Sequence, residues 1–434
     1  MTIRGYHAVS NNETIIYRML NDYIYIIRGV EKMTEVVILG AGYAGLRTLG
    51  ALQKSKEDIH VTLVDRNEYH YEAADLHEVA AGTQERERIL FNISDVVDPD
   101  KTTFIQGTVV NIDREQKTVK VTNQPELRYD YLVVALGFVS ESFGIPGVDK
   151  NALSMVDVDQ AVGIREHLEK QMNEYTRTQD EEYLKIIVCG MGFTGFELVG
   201  ALVEARPQLA KLAGVSADKI KIASVEASTR LLPMFPEKLA DYGSKHLADW
   251  GVEMLTGKRI LEIKPDTVVY QNGDDENDRG EVTAKTIIWT TGVRGSKVMT
   301  DAGFSEKRGR VMVNKDLTDP DYDNVFIVGD VAAAMDEDSG RPYPTTAQIS
   351  LVMGHLAAEN IIHKVNNEAT KEFTFKSLGT VASIGNTHAF GLVGKTAVKG
   401  YAASVAKKGI MDKSLLETGG MKEVLSKGRF DFYH

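Results

Sequence analysis

The stretch Glu35-Val36-Val37-Ile38-Leu39-Gly40-Ala41-Gly42-Tyr43-Ala44-Gly45 decides how the rest of the chain is read. Residues 35–39 are a short apolar run of the kind a buried parallel strand needs. The run passes into GxGxxG and then into a helical stretch, Leu46 to Leu52. In that context the first glycine makes a tight turn, the second lets backbone approach a pyrophosphate, and the third lets helix pack on strand. The helix N-terminus adds N–H donors and a positive dipole end for the phosphates. A second apolar run, His60 to Val64, ends at Asp65, 20 residues beyond Gly45, where an acceptor for ribose hydroxyls belongs.

The same grammar recurs further on. Lys185-Ile186-Ile187-Val188-Cys189 leads into Gly190-Met191-Gly192-Phe193-Thr194-Gly195 and a helical stretch, and a second strand, Ile220 to Val225, ends at Glu226. Residues 206–219 exceed the minimal unit and read as a surface excursion. A carboxylate at Glu226 accepts from a 2′-hydroxyl and repels a 2′-phosphate, which favours NADH over NADPH, although Arg230 nearby weakens that preference. Two complete sites point to two dinucleotides, most economically a tightly held flavin and a diffusing nicotinamide.

A third strand, Asn324 to Val328, ends in Gly329-Asp330. A carboxylate at a strand's C-terminal end sits where open α/β sheets bind ligands. It reads equally well as the N-cap of a helix over Val331–Ala334. Two more apolar strands close on Gly137 and Gly292, each about 100 residues after its glycine-rich opening. The expectation is an α/β chain with two Rossmann-like dinucleotide-binding domains, the first of them discontinuous.

Composition agrees with that reading. At 434 residues the chain is long enough for two or three domains, and 43% apolar with 26% charged residues is an ordinary globular balance. A net charge of −12 argues against a nucleic-acid partner. The single cysteine, Cys189, excludes an internal disulfide and a two-cysteine relay, and it reads as a small buried hydrophobe. No Cys/His spacing suits a metal, and His70 and His77 read as solvated or cofactor-proximal. No run of 18 apolar residues is present to cross a bilayer as a helix.

The first 32 residues lack a signal peptide's continuous apolar core. They read as a leader or, on the purine-rich codons that Arg28–Lys32 allow, as sequence ahead of a native start at Met33. The other end reverses the charge of the body. From Lys395 onward there are eight basic and four acidic residues, interleaved with Ile410, Met411, Leu415, Leu416, Met421, Val424, Leu425 and Phe430. That pattern suits either a monotopic membrane anchor or a basic amphipathic helix packed on the domain.

Taken in order, these motifs resemble the two-dinucleotide-binding-domain flavoproteins, and within them the type II NADH dehydrogenases. The resemblance runs from residue 35 to about 430. It rests on the two glycine loops, Asn67–Glu72 with Leu76-His77-Glu78, and Val133–Gly137. It continues through Leu232–Phe235, Trp289–Ser296, Val328–Asp330 and Pro344–Gln348. It implies FAD along Gly40, Ala41, Gly42, Tyr43, Ala44 and Gly45, with Asp65 and Arg66 at the adenosine ribose and Val109 near the adenine. Gly329 and Asp330 would meet the ribityl chain, Ala347 and Gln348 the isoalloxazine, and Lys407 the flavin. NADH would use Gly190, Gly192, Gly195 and Glu226, with Glu197 and Gln348 catalytic, Glu197 as the proton-handling carboxylate. By its position alone, Glu197 reads as an ordinary acid near a helix N-terminus.

The resemblance further implies electron transfer to a quinone, menaquinone or ubiquinone, without proton pumping, on the cytoplasmic face of a bacterial membrane, and a homodimer. It tips the C-terminal segment towards membrane attachment. Where relatives carry a pair of glutamines towards the quinone pocket this chain has Val352-Met353, which makes that pocket more apolar. Expected boundaries are a leader at 1–32, FAD domain at 33–150 and 305–385, NADH domain at 151–304, and membrane-anchoring segment at 386–434. Two alternatives keep both dinucleotide sites: a soluble NADH oxidase or diaphorase, and a non-enzymatic NADH-sensing flavoprotein.

Overall fold

A computed structural model describes residues 33–429 other than Glu276. The proposed leader at 1–32 and the last residues from Phe430 lie outside the described residues.

The first domain begins with β1 (Thr34–Leu39), α1 (Tyr43–Gln53), β2 (Ile59–Asp65), α2 (Leu76–Ala81), β3 (Thr102–Gln106) and β4 (Tyr131–Val134). The chain then crosses to a second domain through β5 (Leu153–Ser154), α3 (Val158–Thr178), β6 (Lys185–Cys189) and α4 (Phe193–Ala213). That domain continues with β7 (Lys221–Glu226), β8 (Glu253–Thr256) and β9 (Thr286–Trp289). The chain returns as β10 (Val325–Ile327) and α5 (Ala347–Val365), and ends in the hairpin strands β11 (Gly379–Ile384), β12 (His388–Val393), β13 (Thr396–Gly400) and α6 (Tyr401–Lys427).

Two five-stranded parallel sheets result, with strand orders β10-β4-β1-β2-β3 and β5-β9-β6-β7-β8. Because β10 pairs with β4, the first domain is discontinuous, in line with the expected fold class. Each glycine loop leaves the central strand of its sheet. On one side lies the strand ending in an acid, on the other the strand that leads, three residues beyond its end, to Gly137 or Gly292. Helices cover one face of each sheet and a small antiparallel sheet packs on the other, residues 109–128 on the first and 258–283 on the second, so Val36 to Leu39 and Ile186 to Cys189 are wholly buried.

The loops need their glycines for different reasons. Gly40 and Gly190 have φ of +102° and +96°, and a Cβ there would lie 2.3 Å from the Ala135 carbonyl oxygen and 2.9 Å from Thr291 Cα. At Gly45 a Cβ would lie 1.8 Å from the Gly40 carbonyl oxygen, so this glycine serves helix-on-strand contact. Gly354 lets α5 cross α1 closely; its Cβ would lie 2.2 Å from Ala44 O.

Two readings of the sequence fail here. Residues 206–213 are no excursion: α4 runs on through Pro207 and buries Leu209, Ala210 and Ala213 against the second sheet. Apolar burial on that face outweighs the one helical hydrogen bond proline forfeits. Asp330 caps no α-helix either, because a 3-10 turn over Gly329–Val331 passes straight into a short strand at Ala332–Ala333. The Ala-rich segment pairs with Arg310–Met312, and that sheet contact overrides helix propensity.

Candidate functional site

The carboxylates that end β2 and β7 are fastened in the same way. Asp65 Oδ2 accepts the Ala41 N–H at 2.7 Å and its Oδ1 accepts the Asn67 N–H at 2.8 Å. Glu226 Oε2 accepts the Met191 N–H at 2.7 Å and its Oε1 the Ser228 N–H at 2.8 Å. Each acid therefore braces its own glycine loop and holds the carboxylate beside it. Burial pushes the Asp65 carboxyl up, against the pull of those two N–H donors.

A cleft of about 390 Å³ opens at the C-terminal ends of the first sheet's strands. Of the residues expected at the first dinucleotide, Gly40–Ala44, Asp65, Arg66, Val109, Gly329, Asp330 and Ala347 line it. Gly45, Gln348 and Lys407 are not part of its wall. Asp330 faces the cleft with Ser350 Oγ donating to its Oδ1 at 3.5 Å. Burial pushes its carboxyl up to about 6, although Arg310 and Ser350 pull the other way. The cleft suits a dinucleotide on this chain's own evidence. It joins a loop of small residues, a carboxylate braced by two backbone N–H groups and a second carboxylate at the strand ends of one parallel sheet.

His70 and His77 are both buried, not solvated. His70 lines the cleft, with Nδ1 2.8 Å from the Ala41 carbonyl oxygen and Nε2 3.5 Å from Glu72 Oε1. The Tyr43 hydroxyl donates to Glu72 Oε2 at 2.9 Å. Spacing alone did not reveal Glu72, although it lies inside the quoted Asn67–Glu72 motif.

Glu197 is not a first-turn acid. It lies beyond the first turn of α4, is 4% exposed, and stands where α4 meets the C-terminal hairpin and α6. Its Oε1 accepts from Ser383 N–H at 2.9 Å, from the Ser383 hydroxyl at 3.0 Å and from Lys407 Nζ at 3.0 Å. Burial alone would raise this carboxyl. The Lys407 ammonium, His77 and the Ser383 bonds outweigh it and hold the group below the usual carboxylate range. Gly200 makes the junction possible, since a Cβ there would lie 2.6 Å from Gly385 N. Gln348, at the start of α5, is half-buried, and its Oε1 accepts the Leu378 N–H at 2.9 Å. Of the Val352-Met353 pair only Val352 faces outward; Met353 packs in the first core.

The basic tail divides in two. Lys407, Lys408 and Arg429 turn inward, Arg429 bonding Glu78 Oε1 and Oε2 at 2.9 Å and lying 3.4 Å from Asp75. Lys395 and Lys399 on the hairpin and Lys413 and Lys422 on α6 stay exposed, as do Tyr401, Val405 and Leu416 before the kink that Gly420 makes in α6 and Met421 and Leu425 after it. Only part of the positive charge counted in the sequence is thus available to a surface. Among the described residues no helix is long and apolar enough to cross a membrane, and no group of His, Cys, Asp or Glu could hold a metal ion.

Comparison with known proteins agrees with this architecture. Residues 34–354 match the pyridine nucleotide-disulphide oxidoreductase family. The type II NADH:quinone oxidoreductase of Staphylococcus aureus strain MSSA476 is 40% identical over 400 residues, spanning 91% of this chain and 98% of that protein. Its counterpart in S. aureus strain NCTC 8325 / PS 47 matches to the same extent, 40% over 400 residues. The chain belongs to the pyridine nucleotide-disulphide oxidoreductase family and, within it, to the type II NADH:quinone oxidoreductases. The family resemblance carried by the motifs is borne out.

Among solved structures, NDH2 from Plasmodium falciparum in complex with NADH superposes with a TM-score of 0.83 at 17% identity, over 93% of this chain and 99% of that one. The sulfide:quinone oxidoreductase of Aquifex aeolicus gives a TM-score of 0.72 at 21% identity, over 92% and 96%. At such identities the likeness is one of fold. Despite the family's title, this chain's one cysteine is buried in β6, and burial pushes its thiol well up.

Proposed function

We propose that this chain holds one FAD in the cleft of the first sheet, binds NADH on the second, and passes two electrons to a membrane quinone. The observation that carries the reading is the repeated brace: two parallel sheets, each with a glycine loop locked to a terminal carboxylate. FAD, when bound, supplies the chemistry of accepting a hydride and yielding its electrons to a quinone. The protein binds, orients and exchanges the proton.

Gly40–Ala44 would hold the FAD phosphates, Asp65 and Arg66 its ribose, Val109 the adenine side, and Gly329, Asp330 and Ala347 the flavin end, with Gln348 and Lys407 reaching it from beyond the cleft wall. Gly190, Gly192, Gly195 and Glu226 would hold NADH. Glu226, fixed by its two N–H donors, keeps lone pairs for ribose hydroxyls and disfavours a 2′-phosphate. Glu197 and Gln348 would serve the quinone end, with Glu197 exchanging the proton. In this division the FAD domain takes 33–150 and 305–385, the NADH domain 151–304 and the C-terminal segment 386–434.

Membrane attachment is the C-terminal segment's part. The exposed apolar side chains of α6 and the lysines among them suit the headgroup boundary of an anionic bilayer on the cytoplasmic face. With no spanning helix among the described residues, the reading assigns no proton pumping. The test is chemical. The chromophore released by heat should have the mass of FAD, and NADH oxidation should be faster with menaquinone or ubiquinone analogues than with oxygen alone. A chain that oxidises NADH no faster with either quinone contradicts the reading.

A further inference from the structure

The overall reaction consumes a proton. NADH, quinone and H⁺ give NAD⁺ and quinol: the hydride brings two electrons and one proton, and the second proton comes from water. Glu197 is buried, so that proton needs a route to it.

One buried side chain lies within reach of Glu197 and has no part in binding or in the redox steps above. His77, on α2, is 5% exposed, and its Nε2 lies 3.5 Å from Ser383 Oγ. The Ser383 hydroxyl spends its only proton on Glu197 Oε1, at 3.0 Å. What Ser383 presents to the imidazole is therefore a lone pair, which fixes Nε2 as the protonated nitrogen of neutral His77. The hydrogen-bond directions run one way, from His77 Nε2–H to Ser383 Oγ–H to Glu197 Oε1.

We propose that His77 and Ser383 form a proton relay that reloads Glu197 during quinone reduction. A proton arriving at His77 Nδ1 releases the proton on Nε2 to Ser383 Oγ, whose own proton passes to Glu197 Oε1. One N–H and two O–H bonds form while one N–H and one O–H break, and the net result is one proton delivered. Rotation of the hydroxyl and tautomer exchange at His77 reset the line. Burial works against a charge on His77. Glu197 and Glu78 pull its imidazole towards protonation, and Lys407 and Arg429 push against it. Those four are the charged groups that act on it most, from α4, its own helix α2, α6 and the chain two residues past α6. Glu78, whose side chain is 14% exposed, is the member of that set on α2 that reaches solvent.

The inference rests on Glu197 being the proton-handling group, and the two fail differently. Glu197→Gln with undiminished quinone reduction removes both. Glu197→Gln inactive with His77→Gln fully active removes the relay alone. The relay predicts that His77→Gln and Ser383→Ala slow quinone-dependent turnover about ten- to a hundredfold, spare the anaerobic hydride step, and lag in proton uptake read by an indicator dye. Ser383→Thr should restore both, and added imidazole should partly rescue His77→Gly. A purely structural role would instead slow both half-reactions together and resist rescue, and that result would overturn the proposal. A readout on the resting, unaltered protein stands beside these. The ¹⁵N shifts of His77 should show a neutral ring protonated at Nε2; an Nδ1–H tautomer or an imidazolium near neutral pH contradicts the relay.

Discussion

Asp65 and Glu226 do the same work in the two halves of the molecule. Each accepts, at 2.7 Å, the N–H of the residue between the first two glycines of its loop, Ala41 in one case and Met191 in the other. Each also accepts the N–H two residues further along the chain. A carboxylate held this way cannot swing away from its glycine loop, and under the proposed assignment of the two sites the same brace would set the discrimination between nucleotides.

Glu226→Ala should therefore cost more than one ligand contact. A hydrogen bond to a charged group contributes about 1.5–3 kcal/mol, so KM for NADH should rise about ten- to a hundredfold. The preference over NADPH should shrink with it. Steady-state kinetics with both nucleotides and a soluble acceptor decide the matter; an unchanged NADH/NADPH ratio would remove Glu226 from the site.

Gly192 and Gly190 separate ligand approach from folding. Gly192 has φ of −66°, and nothing lies within 4 Å of an added Cβ. Gly192→Ala should fold normally and keep its bound flavin, yet lose at least tenfold in NADH affinity because the methyl group stands where a pyrophosphate belongs. Gly190→Ala meets Thr291 at a positive φ and should lose about 1–3 kcal/mol of stability. Thermal melts beside NADH titrations distinguish the two.

Arg429 compensates one buried acid, Asp75, and one half-buried acid, Glu78. Burial pushes the Asp75 carboxyl up to about 8, against the pull of Arg429. Arg429→Ala leaves Asp75 and Glu78 without that partner, at about 3–5 kcal/mol when both are ionised. An acid whose folded pKa lies above its unfolded value binds more protons in the folded state, so stability falls as pH rises between the two values. The deficit in Arg429→Ala should be larger at pH 8 than at pH 5. Melting temperatures across that range test it, and a pH-independent deficit would count against the buried ion cluster.

Removing the whole C-terminal segment is a poor test of membrane attachment, because Met411, Leu415 and Arg429 are buried against the body. Leu416, Met421 and Leu425 are exposed, Leu425 to 73%. Replacing all three by glutamate should leave the melting temperature and soluble-acceptor activity in place. Each buried Leu or Met side chain is worth about 1.5–3 kcal/mol, so binding to anionic vesicles should fall more than a hundredfold. Undiminished co-sedimentation with the vesicles would place the attachment elsewhere.

How much of this was visible in the sequence follows from range. The glycine loops and terminal acids are local patterns, and their strands are apolar runs, so both parallel sheets could be read. The helix through Pro207 and the strand at Ala332–Ala333 could not, because packing and pairing partners distant in sequence override local preference there. Glu197 was found by resemblance alone. Its partners Ser383 and Lys407 lie 186 and 210 residues away, and no spacing rule joins α4, the hairpin and α6. The inward lysines were hidden for the same reason: a charge count has no sense of direction.

The central claim is that electrons pass from NADH through one flavin to a quinone, and anaerobic stopped-flow with sequential mixing tests it most directly. NADH in the first mix should bleach the flavin absorbance. Menaquinone or ubiquinone analogue in the second should restore it at a rate matching turnover, with one quinol formed per flavin. A reduced flavin that quinone reoxidises no faster than buffer alone would contradict the account.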